Sequence, residues 1–389
     1  MMQKTPSAPP EVNQKKDLIE VVKVFSKLGL FAFGGPAVHI AMMEKEIVTK
    51  RRWMDRQHFL DLVGATNLIP GPNSTEMTMH CGHERAGWKG LFLAGISFIL
   101  PAAISTGILA WLYVEYGKVP AIEPFLYGIK PAVIAIILSA IIKLGKKALK
   151  NWQLGVIGGL VIVASLMGVN EVVGILGAGM IGLLWFGIIN HRNGKALHSL
   201  TPLLLLNLGT TLLGPVSNTK LFLVFLKIGA VLFGSGYVLV AYLDGELVEG
   251  LGWLTKQELL DAIAIGQFTP GPVLSTATFI GYQINGFWGA IAATSGIFLP
   301  SFLFVLLLNP LVPKLRKSSL AGGFLDAVNI GAVGIMAAVT FHLCQEVLID
   351  GKAWAIAVLS TVITFAFTKV SPIWIVVGGA LLGYLLTFV

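Results

Sequence analysis

Asn67-Leu68-Ile69-Pro70-Gly71-Pro72-Asn73-Ser74-Thr75-Glu76 lies inside an apolar region, and two hundred residues later the chain reads Gln267-Phe268-Thr269-Pro270-Gly271-Pro272-Val273-Leu274-Ser275-Thr276. A Pro-Gly-Pro triplet cannot continue a helix. Each proline lacks an N–H and pushes the residue before it out of the α region. Each stretch is therefore expected to be a break, with Pro70, Pro72, Pro270 and Pro272 as its structural elements and Pro72 and Pro272 at the first position of a new helix. A helix that begins inside a membrane points unpaired N–H groups and a partial positive charge at whatever lies before it. That is an anion site in waiting. Two of them, one from each half of the chain, are expected to face each other across a transport pathway.

Composition fixes the setting. Of 389 residues, 55% are hydrophobic and 12% charged, against roughly 25% charged in soluble domains. This is an integral membrane protein, all-α in fold class. The 45 glycines suit close helix contacts and broken helices. The net charge of +8 does not call for nucleic acid, because the basic residues lie in short loops between apolar spans. Cys81 and Cys344 give no disulfide framework. Residues 1–18 form a polar tail without a cleavable signal. No Walker loop, His-Glu-x-x-His, paired-cysteine zinc motif or nucleophile elbow occurs. These absences point away from an enzyme, a cofactor, a bound metal or an ATP-driven pump.

The chain is an internal duplication. Residues 25–72 align with 225–272 without a gap, and 16 of the 48 positions are identical. They include Lys27/Lys227, Gly29/Gly229, Gly34/Gly234, Glu46/Glu246, Trp53/Trp253, Asp61/Asp261 and Pro-Gly-Pro itself. After a one-residue offset, Gly82, Gly87, Gly90 and Pro101 match Gly281, Gly286, Gly289 and Pro300. A first repeat is expected over 19–195, a connection over 196–218 and a second repeat over 219–389.

Loop charge orients the halves. Lys45, Lys50, Arg51, Arg52 and Arg56 follow the first apolar segment; the equivalent loop, Asp244 to Glu258, carries Asp244, Glu246, Glu249 and Glu258 against Lys256. Lys143, Lys146, Lys147 and Lys150 answer to Glu346, Asp350 and Lys352. Basic loops face the cytoplasm, so the alternation predicts two inverted repeats whose broken helices meet near mid-membrane, the plan of secondary transporters. The spans suggest five crossings and one re-entrant hairpin per half, which places the N-terminal tail outside. If the break at Gly34-Gly35-Pro36 is itself a turn-back and residues 203–218 cross, the tail lies inside.

Several polar residues stand where chemistry is needed. Lys27 and Lys227 occupy equivalent apolar positions, where a charge costs at least ~2.5 kcal/mol and signals a partner or a wet cavity; they either attract an anion or snorkel to the interface. Asn73, Ser74, Thr75, Ser275 and Thr276 follow the prolines and offer donors beside the backbone N–H groups of Gly71 and Gly271. Glu76, His39 and His80 occur only in the first half. Glu76 and His39 are the candidates for proton coupling, against the plainer reading of satisfied hydrogen bonds. Asp61 and Asp261 either pair with Lys27 and Lys227 or cap their hairpins.

Phe33-Gly34-Gly35-Pro36-Ala37-Val38-His39, Trp53, Phe59-Leu60-Asp61, Pro70-Gly71-Pro72-Asn73-Ser74-Thr75 and Gly82 together resemble the chromate ion transporter family, in its long form of two fused halves. The likeness runs from about residue 19 to the end. It implies chromate export, with sulfate as a look-alike anion, driven by an ion or proton gradient across the cell membrane, and it points to Phe33, Gly34, Gly35, Pro36, His39, Pro70, Gly71, Pro72, Ser74 and Thr75. Gly34, Gly35 and His39, with Gly234 and Ser235 of the second half, are further substrate-binding candidates, and Pro36 is a structural break. The resemblance carries an amide where this chain has Glu76, and the second half reads Gly234-Ser235-Gly236 in place of Gly34-Gly35-Pro36. An anion channel, an organic-anion carrier, or an intramembrane enzyme using His39, Glu76 and His80 are the competing readings. The lipid bilayer is the expected surrounding, and a homodimer is left open.

Overall fold

The computed structural model describes residues 14–32, 36–66, 69–117, 123–191, 216–233, 236, 238–308, 319–367 and 370–386; the side chains of 37, 61, 65, 186–191, 308 and 319–321 are not among those described. Helix α1 (Gln14–Phe31) is followed by α2 (Pro36–Met43), which continues as a π-helical turn over Glu44–Lys50. The two arms run back along each other. Lys27 Nζ lies 3.7 Å from Glu46, and Arg51 Nε lies 3.4 Å from Glu20, so residues late in the second arm sit level with residues early in the first. The first apolar segment is thus a turn-back and not a crossing, which corrects the expected scheme of a single re-entrant hairpin per half. The physical cause is in the sequence: Pro36 opens the second arm, where its missing N–H costs nothing.

A second hairpin follows. Helix α3 (Arg56–Thr66) leads in, Pro70-Gly71-Pro72 forms the tip, and α4 (Asn73–Tyr116) leads out. His58 lies 3.1 Å from Glu84, which sets the bases of both arms at one level. A straight helix of this length would be about 66 Å long. It breaks instead at Ala86-Gly87, where Gly87 takes φ +63°, a left-handed conformation that only glycine adopts cheaply. Arg85 lies 2.7 Å from Asp17, so the start of α1 stands at this base beside Arg51 and Arg85.

The second half repeats this construction with α8 (Asn218–Val231), α9 (Leu239–Leu243) and its π-helical extension Asp244–Gly250, α10 (Lys256–Phe268), a 3₁₀ turn (Val273–Ser275) and α11 (Thr276–Leu308). Lys227 lies 2.8 Å from Glu246, and the break in α11 falls at Asn285-Gly286 with φ +60° at the glycine. Close helix approach is also duplicated. A Cβ on Gly29 would stand 2.6 Å from the Phe98 carbonyl oxygen, and Gly229 meets the carbonyl of Ile297 in the same way.

The halves are antiparallel. Beyond its break, α4 starts at the base of the first half's hairpins and ends at Tyr113, whose hydroxyl donates to Asp261 at 2.7 Å, near the base of the second half's hairpin. Phe92, early in this run, stacks on Phe302, late in α11, with centroids 5.4 Å apart. Helices α5 (Glu123–Ala148), α6 (Trp152–Leu166) and α7 (Glu171–His191) complete the first half; α12 (Ser319–Val347), α13 (Gly351–Ala366) and α14 (Pro372–Leu386) complete the second. They pack across the halves, α5 on α13 and α14, and α12 on α6 and α7. A Cβ on Gly128 would fall 2.7 Å from the backbone of Gly383, so α5 and α14 meet through glycine. Asn73–Tyr116, Glu123–Ala148, Val273–Leu307 and Gly322–Val347 are long and apolar enough to cross a membrane. The described fold is helical throughout, and it forms two inverted repeats whose broken helices meet in the middle. The 196–218 connection lies largely outside the described residues.

Candidate functional site where the two hairpin tips meet

Each Pro-Gly-Pro tip docks on the first helix of the other half. The Gly71 N–H donates to the Leu232 carbonyl at 2.6 Å, just past the end of α8, and the Gly271 N–H donates to the Ala32 carbonyl at 2.9 Å, just past the end of α1. Both glycines have positive φ, +135° and +87°. The reciprocity follows from the duplication: one loop sequence used twice in inverted copies must reach the opposite copy. The prolines sit one position earlier than expected. Pro72 (φ −80°, ψ 101°) and Pro272 (φ −70°, ψ 134°) are extended N-caps, and helix begins at Asn73 and Val273. The first turn of α4 closes on the Pro72 carbonyl, which accepts from the N–H groups of Thr75 and Glu76.

The side chains expected after the prolines are gathered here. Ser74, Thr75, Glu76, Ser275 and Thr276 are all buried, and Asn73 is half-buried. Glu76 is wholly buried, and neither of its carboxylate oxygens has a hydrogen-bond partner among the described residues; the same holds for Thr75 Oγ1 and Ser301 Oγ. A Cβ on Gly71 would collide with Glu76 Oε1 and fall 2.6 Å from Ser301 Oγ. Glu76 and Ser301 therefore border the same narrow space, one from each half. Ser301 follows Pro300 and was not singled out from sequence; its place at the equivalent of Ala102 was the signal available. In the second half, Thr276 Oγ1 donates to the Val273 carbonyl at 2.8 Å, and Thr269 and Ser275 hydroxyls stand 3.5 Å apart.

His39 is buried, with Nε2 3.2 Å from the Ala32 carbonyl and its ring edge-on to Phe98. Because a carbonyl only accepts, the proton in this contact is on Nε2. The Ala32 oxygen thus receives both His39 and the Gly271 N–H, tying a first-half imidazole to the second-half tip. Gly34, Gly35, Gly234 and Ser235 lie outside the described residues, and Asp61 has no described side chain.

Lys27 and Lys227 lie away from the tips, in pairs with Glu46 and Glu246. Glu46 also accepts from Lys50 at 2.6 Å and from Arg51. The Lys50 hydrogen bond first, then Arg51 and the Lys27 charge, pull its carboxyl down to about 2 against the opposing effect of burial. Asp261 takes neither of its expected places. It pairs with Lys130 of the first half at 3.5 Å, a residue that sequence reasoning missed. Among the described residues no group of three His, Cys, Asp or Glu is placed to hold a metal ion.

Inverted repeats with paired broken helices define a membrane transporter class. The chain belongs to the chromate transporter family: the family described as "Chromate transporter" matches residues 19–183 and 219–384, one match per half. The chain is 32% identical over 373 residues to the "Chromate transport protein" of Cupriavidus metallidurans, covering 94% of this chain and 92% of that protein. It is 31% identical over 334 residues to the "Chromate transport protein" of Pseudomonas aeruginosa, covering 82% and 80%. No solved structure matches.

Proposed function

We propose that this protein is a secondary transporter that carries chromate, and sulfate as a tetrahedral look-alike, out of the cytoplasm across the cell membrane, coupled to an ion or proton gradient. The observation that carries the reading is the reciprocal docking of the two Pro-Gly-Pro tips, each bonded to the opposite half. Two helix starts with buried hydroxyls meet there, and hydroxyls and the first helical N–H groups are the donors an oxyanion requires, while the Gly71 and Gly271 N–H groups hold the tips to their seats. The relatives' names supply the anion. A bond from each half at one point also gives alternating access a pivot, since breaking either one separates a tip from its seat.

The substrate-contacting residues in this reading are Gly71, Asn73, Ser74, Thr75, Gly271, Ser275 and Thr276, together with His39 and with Gly34, Gly35, Gly234 and Ser235, which lie outside the described residues. Lys27 and Lys227 shape the approach from their ion pairs. Glu76 and His39 are the proton-coupling residues: Glu76 is buried with no hydrogen-bond partner among the described residues, and its neutral form would remove the repulsion that a dianion would meet. The protein purified into liposomes is expected to take up chromate saturably, with sulfate competing and a proton gradient changing the rate. Absence of saturable chromate uptake in either gradient direction overturns the reading; uptake indifferent to the gradient leaves a uniporter and removes Glu76 from the coupling role.

A further inference from the structure

A cavity of about 430 Å³ opens between the halves on the face opposite the basic loops, lined by the end of α4, the start of α5, the start of α10 and the end of α12. Its polar wall is built from both repeats. Lys130 Nζ donates to Gln257 Oε1 at 2.6 Å and lies 3.5 Å from Asp261 Oδ1. Tyr113 donates to Asp261 Oδ2 at 2.7 Å. The Asp261 side chain is only 5% exposed and that of Lys130 18%, while Glu123 and Glu346 are exposed parts of the lining. Asp261 lies on α10 nine residues before Pro270, so the pair stands about 13 Å along the helix from the tip.

We infer that Lys130 and Asp261 form a co-binding site at the outer mouth of the pathway, where a proton on Asp261 releases Lys130 to a dianionic oxyanion; the inference rests on the transport reading above. Lys130 has one ammonium and two claimants. While Asp261 is ionised it occupies that charge, and the lining carries three carboxylates, Glu123, Asp261 and Glu346, against one ammonium, a net of −2. A dianion is repelled. When a proton arriving as hydronium moves to Asp261 Oδ1 and leaves water behind, the carboxyl becomes neutral and the ammonium is free to pair with an oxyanion oxygen. When the anion departs and the proton is lost, Asp261 takes Lys130 back. Proton and anion occupancy are thereby linked, and linkage is reciprocal. The exposed acids bias the mouth toward release, as an exporter needs.

Among the described residues, Lys256, also on α10, is engaged by Glu249 of the π-helical extension at 3.0 Å, and the ionisable groups around Asp261 come from four helices. Tyr113 comes from α4, Glu123, Tyr127 and Lys130 from α5, Glu346 from α12, and Glu258 from α10 itself. The packed helix α14 carries no charged residue.

The test compares the native protein with Asp261→Asn in liposomes, with chromate supplied from the cavity side. The readout is the ratio of their half-saturation concentrations from acid to neutral pH. Taking the ratio cancels the protonation of chromate itself, since both proteins meet the same anion. The variant is expected to bind on the order of tenfold more tightly at neutral pH, in the usual range for coupled sites, and the ratio is expected to approach one in acid. Lys130→Gln is expected to weaken the cavity-side affinity at every pH. A pH-independent ratio, in a native protein that transports, overturns the inference alone; a native protein that does not take up chromate overturns the transport reading. Should Asp261→Asn fail to fold, Tyr113→Phe removes the hydroxyl that stabilises the carboxylate. It is expected to move the pH at which the half-saturation changes upward, and an unmoved profile overturns the inference.

Discussion

The two Pro-Gly-Pro tips have one backbone design and two chemistries. Gly71 and Gly271 both take positive φ and both donate to the first helix of the other half. Around Gly71 stand Glu76 and Ser301; around Gly271 stands Ala102 with the backbone carbonyl of Gly29. The equivalent of Glu76 is Thr276, which turns back to its own helix, and the equivalent of Ser301 is Ala102. Duplication preserved the loop that needs glycine and proline for steric reasons. It left the side chains free to diverge, and the ionisable group went to one tip only. The asymmetry makes Glu76 the ionisable side chain that differs between the tips, so proton coupling at the tips is to be sought there, apart from the Asp261 pair at the cavity.

The comparison breaks outright if the halves are not inverted. Thr49 and Glu249 are equivalent exposed positions on the two π-helical turns. Cysteines introduced there, in a background without Cys81 and Cys344, are expected to react with a membrane-impermeant reagent from opposite sides; reaction from one side for both ends the inverted description. The next largest effect is Gly71→Ala. Left-handed backbone costs an L-residue roughly 1–2 kcal/mol, and the new methyl meets Glu76 and Ser301, where overpacking adds about 1–3 kcal/mol. Transport is expected to be lost. Gly271→Ala meets the Ala102 Cβ at 2.7 Å, so adding Ala102→Gly is expected to recover part of the uptake, while no recovery shows that the backbone strain alone is decisive.

Glu76→Gln sharpens the comparison further. Carrier-mediated exchange of chromate is expected to persist while the response to a proton gradient disappears, because the amide keeps the shape without titrating. Thr276→Val, at the other tip, is expected to retain the gradient response. Equal responses in both variants place coupling elsewhere. The smallest effect separates the two lysines. Removing Lys227 leaves the half-buried Glu246 without the ion pair described for it, a cost of about 1–3 kcal/mol. Removing Lys27, itself an exposed lysine at 3.7 Å, leaves the buried Glu46 with Lys50 and Arg51, so the loss is expected to be about 0–1 kcal/mol. Thermal melting in detergent is expected to fall further for Lys227→Ala than for Lys27→Ala; the reverse order removes the assigned pairing.

Much of this architecture could be read before any coordinates. Pro-Gly-Pro in an apolar segment must break a helix, whatever surrounds it, because a missing N–H and a fixed φ are local properties. The repeat, at an offset that shifts by only one residue, and the alternating loop charges predicted duplication and inversion. The turn-back of the first segment was legible only as an alternative, since a broken apolar stretch of that length fits either a kinked crossing or two half-helices. Lys130, Tyr113 and Ser301 were not legible at all. Each is ordinary in its own helix, and each acquires its meaning from a residue in the other repeat.

Sequence by itself determined that this chain lives in a membrane, that it is two copies of one unit in opposite senses, and where each copy must break. Those follow from hydropathy, chirality and the proline ring, which act within a few residues. Tertiary structure alone decided that each tip bonds the opposite half, that Glu46 and Glu246 hold the paired lysines, and that Asp261 faces Lys130. The lysine pairs span only 19 positions and close because the first segment of each half turns back; the other contacts join residues more than a hundred positions apart and depend on how two folded halves are docked, which no local preference encodes.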